Sequence, residues 1–145
     1  MDDVKNPVVS LAESECWERL STQTLGRLVT RVGDVVDIFP VTFVVDGESI
    51  VFRTAEGSKL LELTVNEQVL FESDEFGADG AWSVIVRGRA HRIDASDEIE
   101  AADRLPLTPA VPTLKRNYVR ITADQITGRA FALGEEPERD GVQPY

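Results

Sequence analysis

The hydrophobic and polar positions near the start of the chain follow a helical period. Ser10 and Glu13 have the spacing of a capping box, and apolar residues then recur every four positions from Ala12 to Leu20. Because that spacing places the apolar side chains on one face of a helix, the pattern predicts a first helix over residues 11–22.

After Gly26, which we expect to close this helix, the pattern changes to the alternation and short apolar runs of strands. Gly33-Asp34 and Asp46-Gly47 are hairpin signals, because Gly and Asp tolerate positive φ. Pro40 predicts a bulge, a bend or an edge, and Gly88 predicts a kink. Strands are predicted over residues 27–32, 35–45, 49–54, 68–73, 81–93, 118–121 and 126–133.

Short strands joined by hairpin turns are typical of a closed antiparallel barrel, which leaves no exposed sheet edge. The sequence therefore predicts a mainly β fold: a six-stranded antiparallel barrel with short flanking helices near Ser58 and over residues 97–105. We expect one domain over residues 1–133. Residues 134–145 are acidic and nearly devoid of core residues, which predicts a flexible tail.

Charge and length exclude several classes of function. The 145 residues include 26 acidic and 15 basic side chains, a formal net charge of -11, so the chain should repel nucleic acid and anionic membranes. It has no apolar run long enough to span a bilayer, and its acidic start lacks the blocks of a signal peptide. We therefore expect a cytoplasmic protein with neither of these partners.

The segment from Arg53 to Lys59 carries the clearest chemistry. A strand delivers Arg53, a short turn containing Gly57 follows, and Ser58 and Lys59 open the next helix. Two cations, a hydroxyl and the free N–H groups of a helix start are the components of a phosphate site. The alternative is structural: Arg53 as an outward strand residue and Lys59 as a solvated residue of the helix start.

Other reactive residues favour structural interpretations. Cys16 lies beside Glu15 and Glu18, which disfavour a thiolate, so we expect a packed thiol. His91 is interpreted as a surface or interface residue, with acid–base work or haem ligation as alternatives, and no cluster of metal ligands is present. The remaining basic positions either line a cleft or pair with carboxylates across a dimer; they are Arg87, Arg89, Arg92, Lys115, Arg116 and Arg120.

With these residues in view, the chain resembles the pyridoxamine 5'-phosphate oxidase-like family of FMN-binding split barrels, over about residues 8–133. The resemblance rests on the order and spacing of five segments, which are Leu25–Leu28, Pro40–Phe43, Phe52–Leu60, Trp82–Ala90 and Thr127–Arg129. It implies a homodimer with two cofactors in clefts at the subunit interface.

The resemblance also implies roles for individual residues. Arg53 and Lys59 match positions that bind the flavin phosphate, and Thr54 and Ser58 match their hydrogen-bonding neighbours. A second group of positions implies contact with the isoalloxazine ring, directly or from the partner subunit: Pro40, Val41, Thr42, Phe43, Trp82 and Ser83. For Trp82, packing in the core or at the dimer contact is the alternative.

The implied activity is hydride transfer at the flavin ring to or from an unidentified small molecule, for which the protein orients the cofactor. Authentic pyridoxamine-phosphate oxidases end in a segment containing Arg and Trp, whereas this chain continues from Gly128 to Leu133 into an acidic tail. Vitamin B6 synthesis is therefore not predicted. Two alternatives are a reductase that uses an 8-hydroxy-5-deazaflavin coenzyme and a non-catalytic module that stores or senses the cofactor.

Overall fold

A computed structural model describes residues 7–54, Glu62, 66–107 and 117–132. Two helices have both ends within these residues, α1 (Glu13–Leu20) and α2 (Ser96–Asp103). The strands of the same residues are β1 (Val8–Ser10), β2 (Leu25–Val32), β3 (Val35–Asp46), β4 (Ser49–Thr54), β5 (Gln68–Phe76), β6 (Gly80–Arg92) and β7 (Asn117–Ala132).

The strands close into a barrel. All pairings are antiparallel, in the order β1-β7-β4-β3-β2-β5-β6, and β6 pairs again with β7. Six strands thus form the ring, and β1 is added outside it on β7. This confirms the predicted six-stranded antiparallel barrel. The sequence did not indicate β1, whose three residues are all exposed and show no alternation.

The core fills the barrel with side chains from alternate positions of its strands. Phe43 and Phe71 meet edge to face with ring centroids 4.7 Å apart. The largest buried apolar side chains of this core include Phe52, Phe71, Leu20, Leu28, Ile50, Ile121, Val84, Val86 and Val119. A second, smaller cluster lies on the outer side of β4 under α2, and its buried members are Val51, Ile93, Ala102 and Tyr118.

The start of the first helix differs from the prediction. Ser10 belongs to β1, where it pairs with Arg129, so the Ser10–Glu13 capping box is wrong. The helix begins at Glu13, and the carboxylate of Glu15 accepts a hydrogen bond from the N–H of Ala12 at 3.0 Å. Glu15 at the third helical position thus satisfies the N–H of the N-cap residue Ala12, so the helix starts two residues later than the Ser10–Glu13 pattern predicts.

Two predictions about glycine also needed correction. Gly26 does not close the helix but lies within β2, where a Cβ atom would come within 2.2 Å of the Phe71 ring. The second hairpin turn consists of Gly47 and Glu48, since Asp46 is still paired with Ser49. Gly47 has the expected positive φ, +63°, but it is the first residue of the turn and not the second.

The last two predicted strands are one strand, β7. Its pairing with β6 shifts register between Arg87 and Gly88, which face Gln125 and Ala123. This β-bulge interrupts the alternation, so the sequence pattern divides there although the strand continues. The irregularity predicted at Gly88 is confirmed: a Cβ atom there would come within 2.2 Å of the Thr122 carbonyl oxygen.

Three predicted segments lie wholly or mostly outside the described residues: the helix near Ser58, the proline-containing connector after residue 107 and the tail over residues 134–145. Of the first, only Glu62 is described; it is helical, and its carbonyl accepts a hydrogen bond from the N–H of Asn66 at 3.0 Å. Within the described residues, no helix has the length and apolar character required to cross a membrane.

Candidate functional site

The candidate site lies where two neighbouring strands, β3 and β4, separate. β3 and β4 pair from Asp46–Ser49 to Phe43–Phe52, and the ladder ends there although both strands continue. Beyond that point β3 remains paired with β2 on its other edge, and β4 remains paired with β7. The barrel therefore splits at this level, with residues 35–42 on one side and the end of β4 on the other.

The β3 side of the split contains the residues expected to contact a flavin ring. Val41 and Phe43 are buried in the core, whereas Pro40 is exposed and Thr42 is half-buried on the outer face. The N–H of Phe43 donates to the carbonyl oxygen of Thr24 at 3.0 Å. A ring on this side would therefore contact the backbone of residues 40–42 and the side chains of Pro40 and Thr42.

The β4 side contains Arg53 and Thr54. Alternation along β4 puts Phe52 in the core and Arg53 on the outer face, half-buried, opposite Tyr118 of β7. Thr54 ends the strand, is 8% exposed and lies on the inner side. Ser58 and Lys59 lie outside the described residues. The structure therefore describes only the end of β4 in the expected phosphate site, and the contribution of the following helix remains a prediction.

Asn117, the first residue of β7, is a candidate that sequence reasoning missed. It is the register partner of Thr54 and is 4% exposed. Its Oδ1 accepts a hydrogen bond from Nη2 of Arg92 at 3.1 Å, while its buried Nδ2 has no acceptor among the described residues. A lone Asn at a strand start gives no signal in the sequence, because only the register shows what lies opposite.

Trp82 and Ser83 lie on opposite faces of β6. Trp82 packs in the core, 4% exposed, and its Nε1 donates to a carboxylate oxygen of Glu75 at 3.3 Å. It also lines a cavity of about 390 Å³ together with Phe131. Ser83 is half-buried on the outer face and is paired with Asp74. Within this chain Trp82 is a core residue, and contact of Trp82 or Ser83 with a cofactor stays a prediction.

A cluster of charged side chains occupies the outer face next to Pro40. Arg27 of β2 is the register partner of both Pro40 and Glu72, and its Nη1 lies 2.9 Å from the carboxylate of Glu72 and 3.5 Å from that of Asp74. Burial raises the pKa of Glu72 to about 7, helped by a hydrogen bond to Asp74 and by repulsion from it, while Arg27 opposes the shift. The alternation of residues 72–74 could have indicated this pair, since it puts both carboxylates on one face.

Three of the remaining basic candidates pair with carboxylates of the same chain. Arg89 pairs with Asp124 at 3.5 Å, Arg92 with Asp94 at 3.2 Å and Arg120 with Asp46 at 2.9 Å. These pairs lie within one chain, whereas pairing across a dimer was the expectation; Lys115 and Arg116 lie outside the described residues. His91 is exposed on the side of β6 that carries Arg87 and Arg89.

Cys16 is fully buried, and its pKa is raised by burial first and then by the charges of Glu15 and Glu13, which confirms a packed thiol. Across the described ranges of the chain, no three His, Cys, Asp or Glu side chains are grouped so that they could hold a metal ion.

The residues at the split fit a flavin phosphate and ring. The end of β4 offers the guanidinium of Arg53, and the start of β7 offers the buried, uncommitted amide nitrogen of Asn117. A guanidinium and amide N–H groups suit an anion, and the outer face of β3 beside the split suits a flat ring that contacts backbone groups.

Comparisons with known families, structures and sequences each find proteins similar to this chain. The family described as pyridoxamine 5'-phosphate oxidase matches residues 12–130. A crystal structure of a candidate pyridoxamine 5'-phosphate oxidase from Corynebacterium glutamicum has 52% sequence identity and a TM-score of 0.82, over 90% of this chain and 98% of that one. The FAD-binding protein of Mycobacterium smegmatis has 41% identity and a TM-score of 0.75, over 86% of this chain and 99% of that one. Rv3129, an uncharacterised protein of Mycobacterium tuberculosis, is 42% identical over 95 residues, which are 66% of this chain and 86% of that protein.

Proposed function

Because the chain belongs to the pyridoxamine 5'-phosphate oxidase family, we propose that it is a flavin-dependent oxidoreductase that binds FMN where β3 and β4 diverge. The observation that carries the proposal is the split itself, with Arg53 and Thr54 on one side and residues 40–42 on the other. The flavin ligand named for the Mycobacterium smegmatis relative, at 41% identity, supports this cofactor class.

In this proposal the residues of the chain bind and orient the cofactor. Arg53 and Lys59 hold the phosphate through charge-assisted hydrogen bonds, and the hydroxyls of Thr54 and Ser58 add neutral ones. The backbone of residues 40–42 addresses the polar edge of the ring. When bound, the flavin supplies hydride transfer, so the chain needs no nucleophile or metal of its own.

We further propose that the protein is a homodimer whose subunits meet on the outer face of the barrel. Ile38 of β3 is 63% exposed, and it is the register partner of Val29, which pairs in turn with Leu70. This row of apolar side chains crosses three strands on the face that carries Pro40 and Thr42. An exposed apolar strip of that kind is typical of a contact surface, and a partner covering it would enclose the ring.

The proposal does not include oxidation of pyridoxamine 5'-phosphate. The resemblance implies that an Arg- and Trp-containing segment holds that substrate, whereas residues 128–133 of this chain contain Arg129 and Phe131 but no Trp. We therefore propose that the electron donor and acceptor are small molecules other than pyridoxamine 5'-phosphate.

Titration of the purified protein with flavins tests the proposal. We expect quenching of FMN fluorescence at micromolar concentrations, bleaching of the bound flavin by a reductant under nitrogen, and reoxidation by at least one member of a panel of small-molecule acceptors. Preference for FAD or for a deazaflavin would correct the cofactor but keep the site. Binding without turnover across the panel would favour the storage or sensing module, and absence of binding to all three would refute the proposed function.

A further inference from the structure

Asn117 carries a buried donor that the fold does not use. The residue is 4% exposed, and its Nδ2 atom is shielded from solvent without an acceptor among the described residues. Buried polar groups are nearly always hydrogen-bonded, because water that once solvated them has been lost. An exception at the margin of a proposed site therefore points to a partner that the described residues do not supply.

The orientation of this carboxamide is fixed by its neighbour. Nη2 of Arg92 lies 3.1 Å from Oδ1 of Asn117. A guanidinium has only donors, so the atom facing it must be the amide oxygen, and rotating the amide by 180° would place two donors against each other. Both N–H bonds of Nδ2 therefore remain available to an acceptor other than Arg92.

The position of Asn117 brings this donor to the phosphate end of the proposed site. Asn117 is paired with Thr54, the last residue of β4, and the next pair in the ladder joins Tyr118 to Arg53. Arg53 approaches the strand end from the outer face, whereas Thr54 and Asn117 lie on the inner side. A phosphate group beyond the ends of these strands can thus be contacted by side chains from both the outer and the inner face.

The chemistry of the surrounding groups selects an anion. Asn117 offers two N–H bonds, and the guanidinium of Arg92 that holds its oxygen adds positive charge beside them. Asp94 balances part of the charge on Arg92, because its carboxylate lies 3.2 Å from Nε of Arg92. Arg53 contributes a second guanidinium at the adjacent register position. The two N–H bonds of Asn117 beside these cations suit a phosphate oxygen, which accepts hydrogen bonds.

We propose that Asn117 is a further phosphate-binding residue, whose Nδ2 donates a hydrogen bond to a phosphate oxygen of the bound flavin. The inference rests on the proposed function, since it uses the same site. It adds to that site a residue from β7, about sixty positions away from the Arg53–Lys59 segment in the chain. Arg92 is a positioning residue in this arrangement, because it fixes the amide without needing to touch the ligand.

The test compares Asn117→Asp with Gln125→Glu in the full-length protein. Both variants convert an amide to a carboxylate on β7, but Gln125 is exposed and lies at the bulge, away from the strand end. For Asn117→Asp we expect FMN affinity to fall about tenfold or more, because a donor is replaced by a negative charge facing the phosphate. Gln125→Glu should bind FMN within about twofold of the wild type.

A ligand without phosphate separates binding from folding. Riboflavin carries the same ring, so Asn117→Asp should change its affinity little, and the loss should be confined to FMN. The ³¹P signal of bound FMN should also differ between Asn117→Asp and the wild type, but not between Gln125→Glu and the wild type. Should Asn117→Asp fail to fold by circular dichroism, Asn117→Ala replaces it, with a smaller loss that is again specific to FMN.

The outcomes distinguish this inference from the proposed function. Equal losses for FMN and riboflavin, or an unchanged FMN affinity and ³¹P signal, would overturn the role of Asn117 while leaving the flavin site in place. A wild-type protein that binds none of FMN, FAD and a deazaflavin would instead overturn the proposed function, and the assignment of Asn117 with it.

Discussion

Arg53 is the side chain on which the proposed cofactor site depends most directly. It lies half-buried on the outer face at the end of β4. A hydrogen bond to a charged group contributes about 1.5–3 kcal/mol, so Arg53→Ala should weaken FMN binding about tenfold to a hundredfold in a fluorescence titration. Arg89→Ala is the matched control, because Arg89 is exposed and its ion pair with Asp124, at 3.5 Å, lies on the surface. Equal affinities for the two variants would remove Arg53 from the phosphate site.

Glu72 makes stability depend on pH in a direction opposite to that of most acidic residues. Burial and Asp74 raise the pKa of Glu72 from 4.5 to about 7, so the folded protein binds this proton more tightly than the unfolded chain. The stabilisation is therefore complete below about pH 4.5 and is lost as the pH rises through about 7.

Replacing Glu72 with Gln should remove that dependence. We expect Glu72→Gln to melt a few degrees above the wild type at pH 8, a gain on the order of 1 kcal/mol, and to show little difference near pH 4.5. Thermal melts of both proteins between pH 4.5 and 8.5 measure the change. Glu48→Gln, in the exposed turn after β3, is the control for the same chemical change at the surface. A constant offset across this range would mean that Glu72 does not titrate differently in the folded protein.

At the scale of the elements, the bulge between β6 and β7 depends on Gly88. A Cβ atom at this position would lie 2.2 Å from the carbonyl oxygen of Thr122, which is backbone and cannot rotate away. Gly88→Ala should therefore lower the free energy of unfolding by about 1–3 kcal/mol, as overpacking does. Gly77→Ala is the control, since its nearest heavy atom would be 3.6 Å away. Urea denaturation measures both variants, and equal midpoints would show that the two strands can move apart at the bulge.

The elements that the sequence predicts well are those with local signals. β4 was predicted with its exact bounds, because its apolar run stands between a glycine turn and the polar segment after Thr54. β7 was predicted as two strands because its bulge breaks the alternation, although pairing with β6 keeps the backbone extended through it. The role of Gly26 was missed because the Phe71 ring that excludes a side chain there belongs to β5. That strand pairs with β2 in the barrel but lies far from it in the sequence.

The same distinction applies to the candidate site. Arg53 and Thr54 could be found because their companions follow within a few residues, in an order that matches a known phosphate-binding arrangement. Asn117 could not be found, because its partners Thr54 and Arg92 lie on two other strands and meet it only through the register of the barrel. Long-range pairing is the information that a single sequence does not display.

At the scale of the whole molecule, net charge and surface composition act against each other. A formal charge of -11 per chain makes two copies repel, so the proposed dimer needs apolar burial to form. The outer face provides it: Val36 and Ile38 are 61% and 63% exposed, and the half-buried Val29 and Leu70 continue the strip. A stable contact buries about 800 Å² on each partner, and a strip across three strands is wide enough to nucleate one.

Ile38→Glu should therefore dissociate the dimer without unfolding the barrel. The substitution places a charge in the centre of the apolar strip, where a partner would have to bury it without a counter-ion. Val35→Glu is the matched control, because Val35 is 58% exposed on the same strand but its side chain points to the other face. Sedimentation at micromolar concentration should give a monomer for Ile38→Glu and a dimer for Val35→Glu and the wild type. Since the proposed clefts lie between subunits, the monomer should also bind FMN more weakly. A dimeric Ile38→Glu protein with full FMN affinity would place the subunit contact, and the ring enclosed by it, on a different face of the barrel.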